Sequence, residues 1–129
     1  MKVTELMLGD WVVYDDIPSQ VTMTSAEGDV MVLKEGKVVF TNSEQLNPIP
    51  LTEELLKVND FKLSMYYAID GRQMYTHEES NFTLYFSRKQ NIYNVSRTDV
   101  SVQLQYVHEL QHYLRLINLQ GLAVNFKIK

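Results

Sequence analysis

The feature that most constrains this chain is Asn47-Pro48-Ile49-Pro50, where two prolines stand one residue apart. A prolyl nitrogen has no hydrogen to give to a sheet ladder or a helix, and the ring holds φ at roughly −65°, so no central strand or helix interior runs through this stretch. The break separates a first part, residues 1–47, from a second, residues 48–129, although the two can still share one continuous domain. Each part therefore has its own periodicity to be read.

Ahead of the break, short apolar runs alternate with turn residues: Leu6 to Tyr14, Val21 to Thr24 and Val30 to Leu33. Glu35-Gly36 then lies between Met31-Val32-Leu33-Lys34 and Lys37-Val38-Val39-Phe40, which predicts a tight hairpin with glycine at positive φ. Several strands in so few residues predict a small β-barrel or a curled sheet. The Leu8-Gly9-Asp10-Trp11-Val12 segment resembles the opening strand of SH3-like barrels, in which Gly-Asp makes a bend and the aromatic plugs one end.

Beyond the break, Thr52 can cap a short helix that carries Glu53 and Glu54 at its positive end and stops at Asn59-Asp60. Four runs rich in aromatic and β-branched residues follow, at Phe61 to Ile69, Gln73 to His77, Phe82 to Ser87 and Ile92 to Ser96. Asp70-Gly71 is the strongest turn signal among them. They predict an antiparallel meander. Val102 to Asn118 predicts one long helix, capped by Asp99 or Ser101 and stopped at Gly121. Its apolar face holds Val102, Tyr106, Val107, Leu110, Tyr113, Leu114 and Ile117 and is expected to pack on the meander. Alternation at Leu122, Val124, Phe126 and Ile128 predicts a final half-buried strand.

Composition bounds the function classes. The chain has 129 residues, 45% hydrophobic and 22% charged, which suits an ordinary folded domain with a continuous core. No apolar run approaches the roughly 18 residues of a membrane span, and the opening Met1-Lys2-Val3-Thr4-Glu5 lacks a leader pattern. The expected compartment is the cytoplasm, in keeping with zero cysteines, which also exclude disulfides and thiolate metal sites. Twelve basic against sixteen acidic residues give a net charge of −4, with Arg88-Lys89 the only basic pair, so nucleic-acid binding is not favoured. Ten of the fourteen aromatic residues lie between Phe61 and Tyr113, which allows RNA or single-strand stacking as a weaker alternative to core packing.

One stretch spells a chemical motif. His108-Glu109-Leu110-Gln111-His112 reads H-E-x-x-H, in which histidines one helical turn apart share a zinc ion and the glutamate activates its water. A zinc hydrolase would use His108 and His112 as ligands and Glu109 as general base. Residues 113–129 hold no His, Asp or Glu, so the third ligand would come from upstream, with His77 or Glu78 as candidates. On the helix projection, His108 and His112 lie opposite the apolar stripe, so both are expected away from the core.

Three segments carry a resemblance: Leu6-Met7-Leu8-Gly9-Asp10-Trp11-Val12, Ile49-Pro50-Leu51-Thr52-Glu53-Glu54-Leu55-Leu56 and Tyr106-Val107-His108-Glu109-Leu110-Gln111. In order and spacing the chain resembles a family of small proteins of Bacteroides-type gut bacteria and their phages and mobile elements, a family that brings no established activity. There the helix reads Tyr-Val-His-x-Leu-Gln, which implies that His112 is incidental. The resulting expectation is an α+β fold and a non-enzymatic binding or accessory module, without catalytic residue, cofactor or metal. Its partner would be another protein or a second copy, reached through a sheet edge such as Leu122 to Lys129 or an exposed aromatic. The zinc hydrolase is the alternative.

Overall fold

A computed structural model describes residues 1–67, 73–87, 91–95 and 102–128. The fold is α+β, with two antiparallel five-stranded sheets, and the chain divides into two compact units. The first unit holds Met1–Pro50 together with Tyr106–Ile128, and the second holds Leu51–Gln105. The chain leaves the first unit at the second proline of the break and rejoins it at Tyr106, which bridges Pro50 in antiparallel fashion.

In the first unit, β1 (Trp11–Tyr14), β2 (Ile17–Thr24), β3 (Asp29–Lys34), β4 (Lys37–Asn42) and β5 (Leu46–Pro48) form a sheet in the order β4-β3-β2-β1-β5. Two-residue turns join β1 to β2 and β3 to β4, and the four residues 25–28 join β2 to β3. Glu35 and Gly36 have φ of 50° and 79°, and Asp15 and Asp16 have 52° and 62°, so both hairpins turn through paired left-handed residues whose twist matches that of the strands. The Asp-Asp turn carries no glycine; asparagine and aspartate tolerate the left-handed region better than other side chains. Alternation sets the faces. Val30 and Val32 join Leu6, Val12, Val21 and Leu46 in the core, while Met31 and Leu33 point to the other side. The expected barrel is replaced by an open sheet with edges at β4 and β5, because β5 reaches only three positions along β1 before its prolines remove further donors.

The C-terminal region departs most from expectation. The helix α2 spans Val107–Leu116 rather than Val102–Asn118, since Gln103–Leu104 is strand β10 of the second sheet. It contacts β1 and therefore packs in the unit of the first sheet. Asn118, at φ 65°, ends it before Gly121 is reached. No final strand exists in Leu122–Ile128. A short helix α3 (Gln120–Val124) replaces it, and Ala123 and Phe126, three residues apart, are buried, whereas Val124 is exposed. A periodicity of three thus underlies a pattern that spelling alone made look like two.

In the second unit, helix α1 (Glu53–Val58) begins where Thr52 Oγ1 accepts the Leu55 N–H at 3.3 Å and ends at Asn59, followed by Asp60 at φ 67°. The meander is β6 (Phe61–Tyr67), β7 (Gln73–His77), β8 (Thr83–Ser87), β9 (Ile92–Asn94) and β10, each strand pairing with the next. Leu56, Phe61, Tyr75, Leu84, Tyr93 and Leu104 are buried here, and Tyr75 meets Tyr93 edge to face at 6.1 Å. Burial pushes the Tyr93 hydroxyl well above the usual tyrosine range. Asp70-Gly71, Asp99 and Ser101 lie outside the described residues.

Candidate functional site

Helix α2 buries Val107, His108, Leu110, Gln111 and Leu114. The apolar residues Leu110, Val107 and Leu114 are those expected, but the buried arc is turned by roughly a quarter of the helix circumference toward the histidines. His108 is therefore not on a solvent face: it is 6% exposed. The expected face included Val102, which is not helical, and Ile117, which is exposed; removing those two moves the stripe toward Gln111.

Asp10 organises the site. It is fully buried, and its carboxylate draws donors from both ends of the sequence. Oδ2 accepts the Met7 N–H at 2.8 Å and lies 2.6 Å from His112 Nε2, which donates to an ionised Asp10 when it carries the ring proton, while Oδ1 accepts Arg115 Nη1 at 3.1 Å. Arg115 Nη2 also donates to Leu8 O at 2.7 Å. A charge taken wholly out of water is tolerable only when it is paired and its lone pairs are satisfied, and the Arg115 and His112 side chains supply both. They sit one helical turn or less apart on α2 and clamp the loop that carries Gly9-Asp10.

Gln111 continues the same lattice. Completely buried, it accepts the Trp11 N–H through Oε1 at 3.0 Å and donates through Nε2 to Gly9 O and Ala123 O, each at 3.0 Å. Trp11 Nε1 donates to Phe126 O at 2.7 Å. Val107 N–H donates to Ile49 O at 2.9 Å, just before the Pro50–Tyr106 bridge. The three segments that looked separate in the sequence, around Gly9-Asp10-Trp11, Ile49-Pro50 and Tyr106 to Gln111, are thus parts of one hydrogen-bonded assembly. Gly9, at φ 89°, lets the loop approach α2, where a Cβ would stand 3.1 Å from Arg115 Nη2.

The zinc motif is placed accordingly. Glu109 Oε1 accepts the Tyr106 N–H at 2.9 Å, the reach-back of a third-position glutamate over a helix start. The His108 ring stacks on Tyr106 with centroids 5.9 Å apart and meets His112 edge-on at 5.7 Å. Its Nδ1 is buried without a hydrogen-bond partner. Burial holds the His108 pKa below its ordinary value of 6.5, partly opposed by the Asp10 carboxylate. A cavity of about 240 Å³ beside it is lined by Met1, Glu5, Pro48, Tyr106, His108 and Glu109. His77 belongs to the second unit, buried on β7, with Nδ1 2.9 Å from Ser80 Oγ. Among the described residues, no group of three or more His, Asp or Glu is positioned to hold a metal ion.

A second feature lies on the outward face of the first sheet. Register sets Met31 beside Phe40, Leu33 beside Val38 and Met23 beside Met31. These side chains stand away from the Val30-Val32 core, and Phe40 is 76% exposed. A groove of about 310 Å³ runs among Met23, Met31 and Phe40, with Asp29 on its wall. Sequence reasoning missed this face, although the alternation of Val30 and Val32 with Met31 and Leu33 carried the signal.

Among the described residues no helix is long and apolar enough to cross a membrane. No family model, curated protein or solved structure matches the chain.

Proposed function

We propose that this chain is a non-enzymatic protein-binding module whose docking surface is the outward face of the first sheet. The observation that carries the reading is the set of cross-strand apolar neighbours Met23, Phe40, Leu33 and Val38, exposed together around the half-buried Met31 beside a groove. Single exposed apolar residues are ordinary, but a contiguous group on one sheet face marks a surface that partners cover. Methionines bordering the groove adapt their shape to an inserted side chain.

The occupant is a segment of another protein that inserts an apolar side chain between Met23, Met31 and Phe40 and carries a lysine or arginine next to it. Asp29 supports that choice, with Glu27 in the preceding turn. No lysine or arginine occurs between residues 18 and 33, so the groove wall is acidic. The proposed setting, a gut bacterium or a mobile element, rests on the likeness of three segments to small proteins found there.

Panning a display library of random peptides on the immobilised chain tests the proposal. Enriched peptides should share an apolar residue beside a basic one and lose binding to Phe40→Asp, while Leu116→Asp, on an exposed helix position, leaves it intact. Enrichment that Phe40→Asp does not affect sinks the reading. So does turnover in a broad hydrolase screen that disappears on Glu109→Gln.

The zinc-hydrolase alternative has one supporting observation, the unpartnered Nδ1 of His108 near the His112 ring. Against it stand the engagement of His112 by Asp10 and of Glu109 by the helix start.

A further inference from the structure

The edge of the first sheet carries an inference that does not depend on the groove. β4 is an outermost strand, and its pairing with β3 closes at Lys34 opposite Lys37 around a two-residue turn. In an antiparallel ladder, hydrogen-bonded and non-bonded pairs alternate, and the pair closing such a turn is bonded. Lys37, Val39 and Thr41 therefore direct their N–H and C=O groups to β3, and Val38 and Phe40 direct theirs outward. Among the described residues no strand lies on that side.

Natural edges are usually blunted by proline, by central charges or by brevity. The opposite edge, β5, follows this rule, being three residues long and ending in Pro48. β4 does not: Val38-Val39-Phe40-Thr41 has neither a proline nor a charge, and six residues of strand are available. An edge of this kind is built to be paired.

We infer that β4 pairs antiparallel with β4 of a second copy of this chain, around a two-fold axis at Phe40, to give one continuous ten-stranded sheet. The charge pattern selects a second copy over a foreign strand. Lys37 stands at one end of β4, and Glu44 stands just past the other, in the turn Ser43–Gln45. Neither is in an ion pair among the described residues. Rotation about the two-fold axis brings Lys37 of each copy beside Glu44 of the other, so the strand is complementary to itself. With Phe40 on the axis, Val38 of each copy faces Asn42 of the other, and the free backbone groups of Val38 and Phe40 all find partners. An axis perpendicular to the sheet also keeps both outward faces on the same side, so the two Met23-Met31-Phe40 grooves open together on one surface. Two grooves on one surface give a bivalent partner the advantage of effective concentration.

Sedimentation equilibrium of the purified chain at roughly 10–100 µM tests the inference. A discrete two-subunit species is expected. Val38→Pro removes only an outward N–H and should raise the dimer dissociation constant at least about tenfold. Lys37→Glu and Glu44→Lys should each weaken the dimer, and the doubly exchanged variant should restore it, a readout independent of how Val38→Pro folds. A monomer throughout this range overturns the inference. A dimer insensitive to Val38→Pro and to the charge exchange also overturns it, as do open-ended aggregates in place of a discrete species. Peptide binding by Phe40's groove is read separately, so a monomer that still selects peptides refutes the pairing alone.

Discussion

Replacing Asp10 with alanine isolates the centre of the first unit. The substitution removes the acceptor for the Met7 N–H, the His112 ring and the Arg115 guanidinium at once. Removing one member of a buried charge pair costs about 3–5 kcal/mol, because the abandoned charge keeps its desolvation penalty. Here the side chains of Arg115 and His112 keep 14% and 26% of their exposure, so water reaches them in part and the lower end, about 3 kcal/mol, is expected. That is a large share of the roughly 5–15 kcal/mol that holds an ordinary domain folded. With a urea dependence of about 2 kcal/mol per molar, the midpoint should fall by about 1.5 M. Trp11, the only tryptophan, lies within the same lattice, so its fluorescence follows this unit directly. Asp15→Asn is the control: asparagine suits the left-handed φ of 52° at this turn, and the carboxylate it removes is 74% exposed and pairs with Lys34 on the surface, where about 0–1 kcal/mol is at stake. In a double-mutant cycle, Asp10→Ala and Arg115→Met together should cost less than the sum of the two singles. If Asp10→Ala unfolds at the same urea concentration as Asp15→Asn, the reasoning about the buried carboxylate is refuted.

Three further expectations share the same assay. Gln111→Leu keeps the volume but strands the Trp11 N–H and the Ala123 carbonyl and leaves Gly9 O with Gln20 Nε2 alone; it should cost about 2–4 kcal/mol and speed hydrogen exchange at the Trp11 amide. Gly9→Ala forces a side chain into φ 89° against an Arg115 group already held by Leu8 O, and about 1–2 kcal/mol should be lost, visible as a lower midpoint. For His108 the sign follows from burial: a histidine whose pKa is depressed on folding binds fewer protons folded than unfolded. Its contribution is whole above pH 6.5 and declines as pH falls from there toward the folded value, so the urea midpoint of His108→Gln should fall less on acidification than that of the parent chain. An equal or steeper fall contradicts it.

The sequence was readable where one signal dominated. The Glu35-Gly36 hairpin, the Thr52 cap and the meander all appear at the expected positions, because each rests on local chemistry: a left-handed turn, an orphan amide, or alternation of bulky residues. The C-terminal region misleads because alternation at Leu122, Val124, Phe126 and Ile128 arises in a segment that buries Ala123 and Phe126 instead. The site was half readable. Gln111 lies at the centre of the buried stripe, between Val107 and Leu114, yet a polar residue there looks like an interruption until the backbone groups it satisfies are known. Asp10 lies 102 residues from His112 in sequence, and no local pattern announces such a pairing. Helical projection puts His108 and His112 away from the core because it places residues relative to one apolar stripe, whereas this helix buries His108 and Gln111 beside that stripe. The SH3-like barrel failed for a different reason: strand count alone does not bring the edges of a sheet together.

The claim that His108-Glu109-Leu110-Gln111-His112 is a structural helix start and clamp, and not a metal site, is tested most directly by zinc titration of tag-free, chelator-treated protein, followed through the imidazole nitrogen resonances. The expected result is a His112 ring whose Nε2 keeps its proton and its bond to Asp10, with no saturable zinc at about one equivalent in the micromolar range. One zinc bound tightly per chain, with the His108 and His112 resonances shifting together and the Nε2 proton lost, would contradict it.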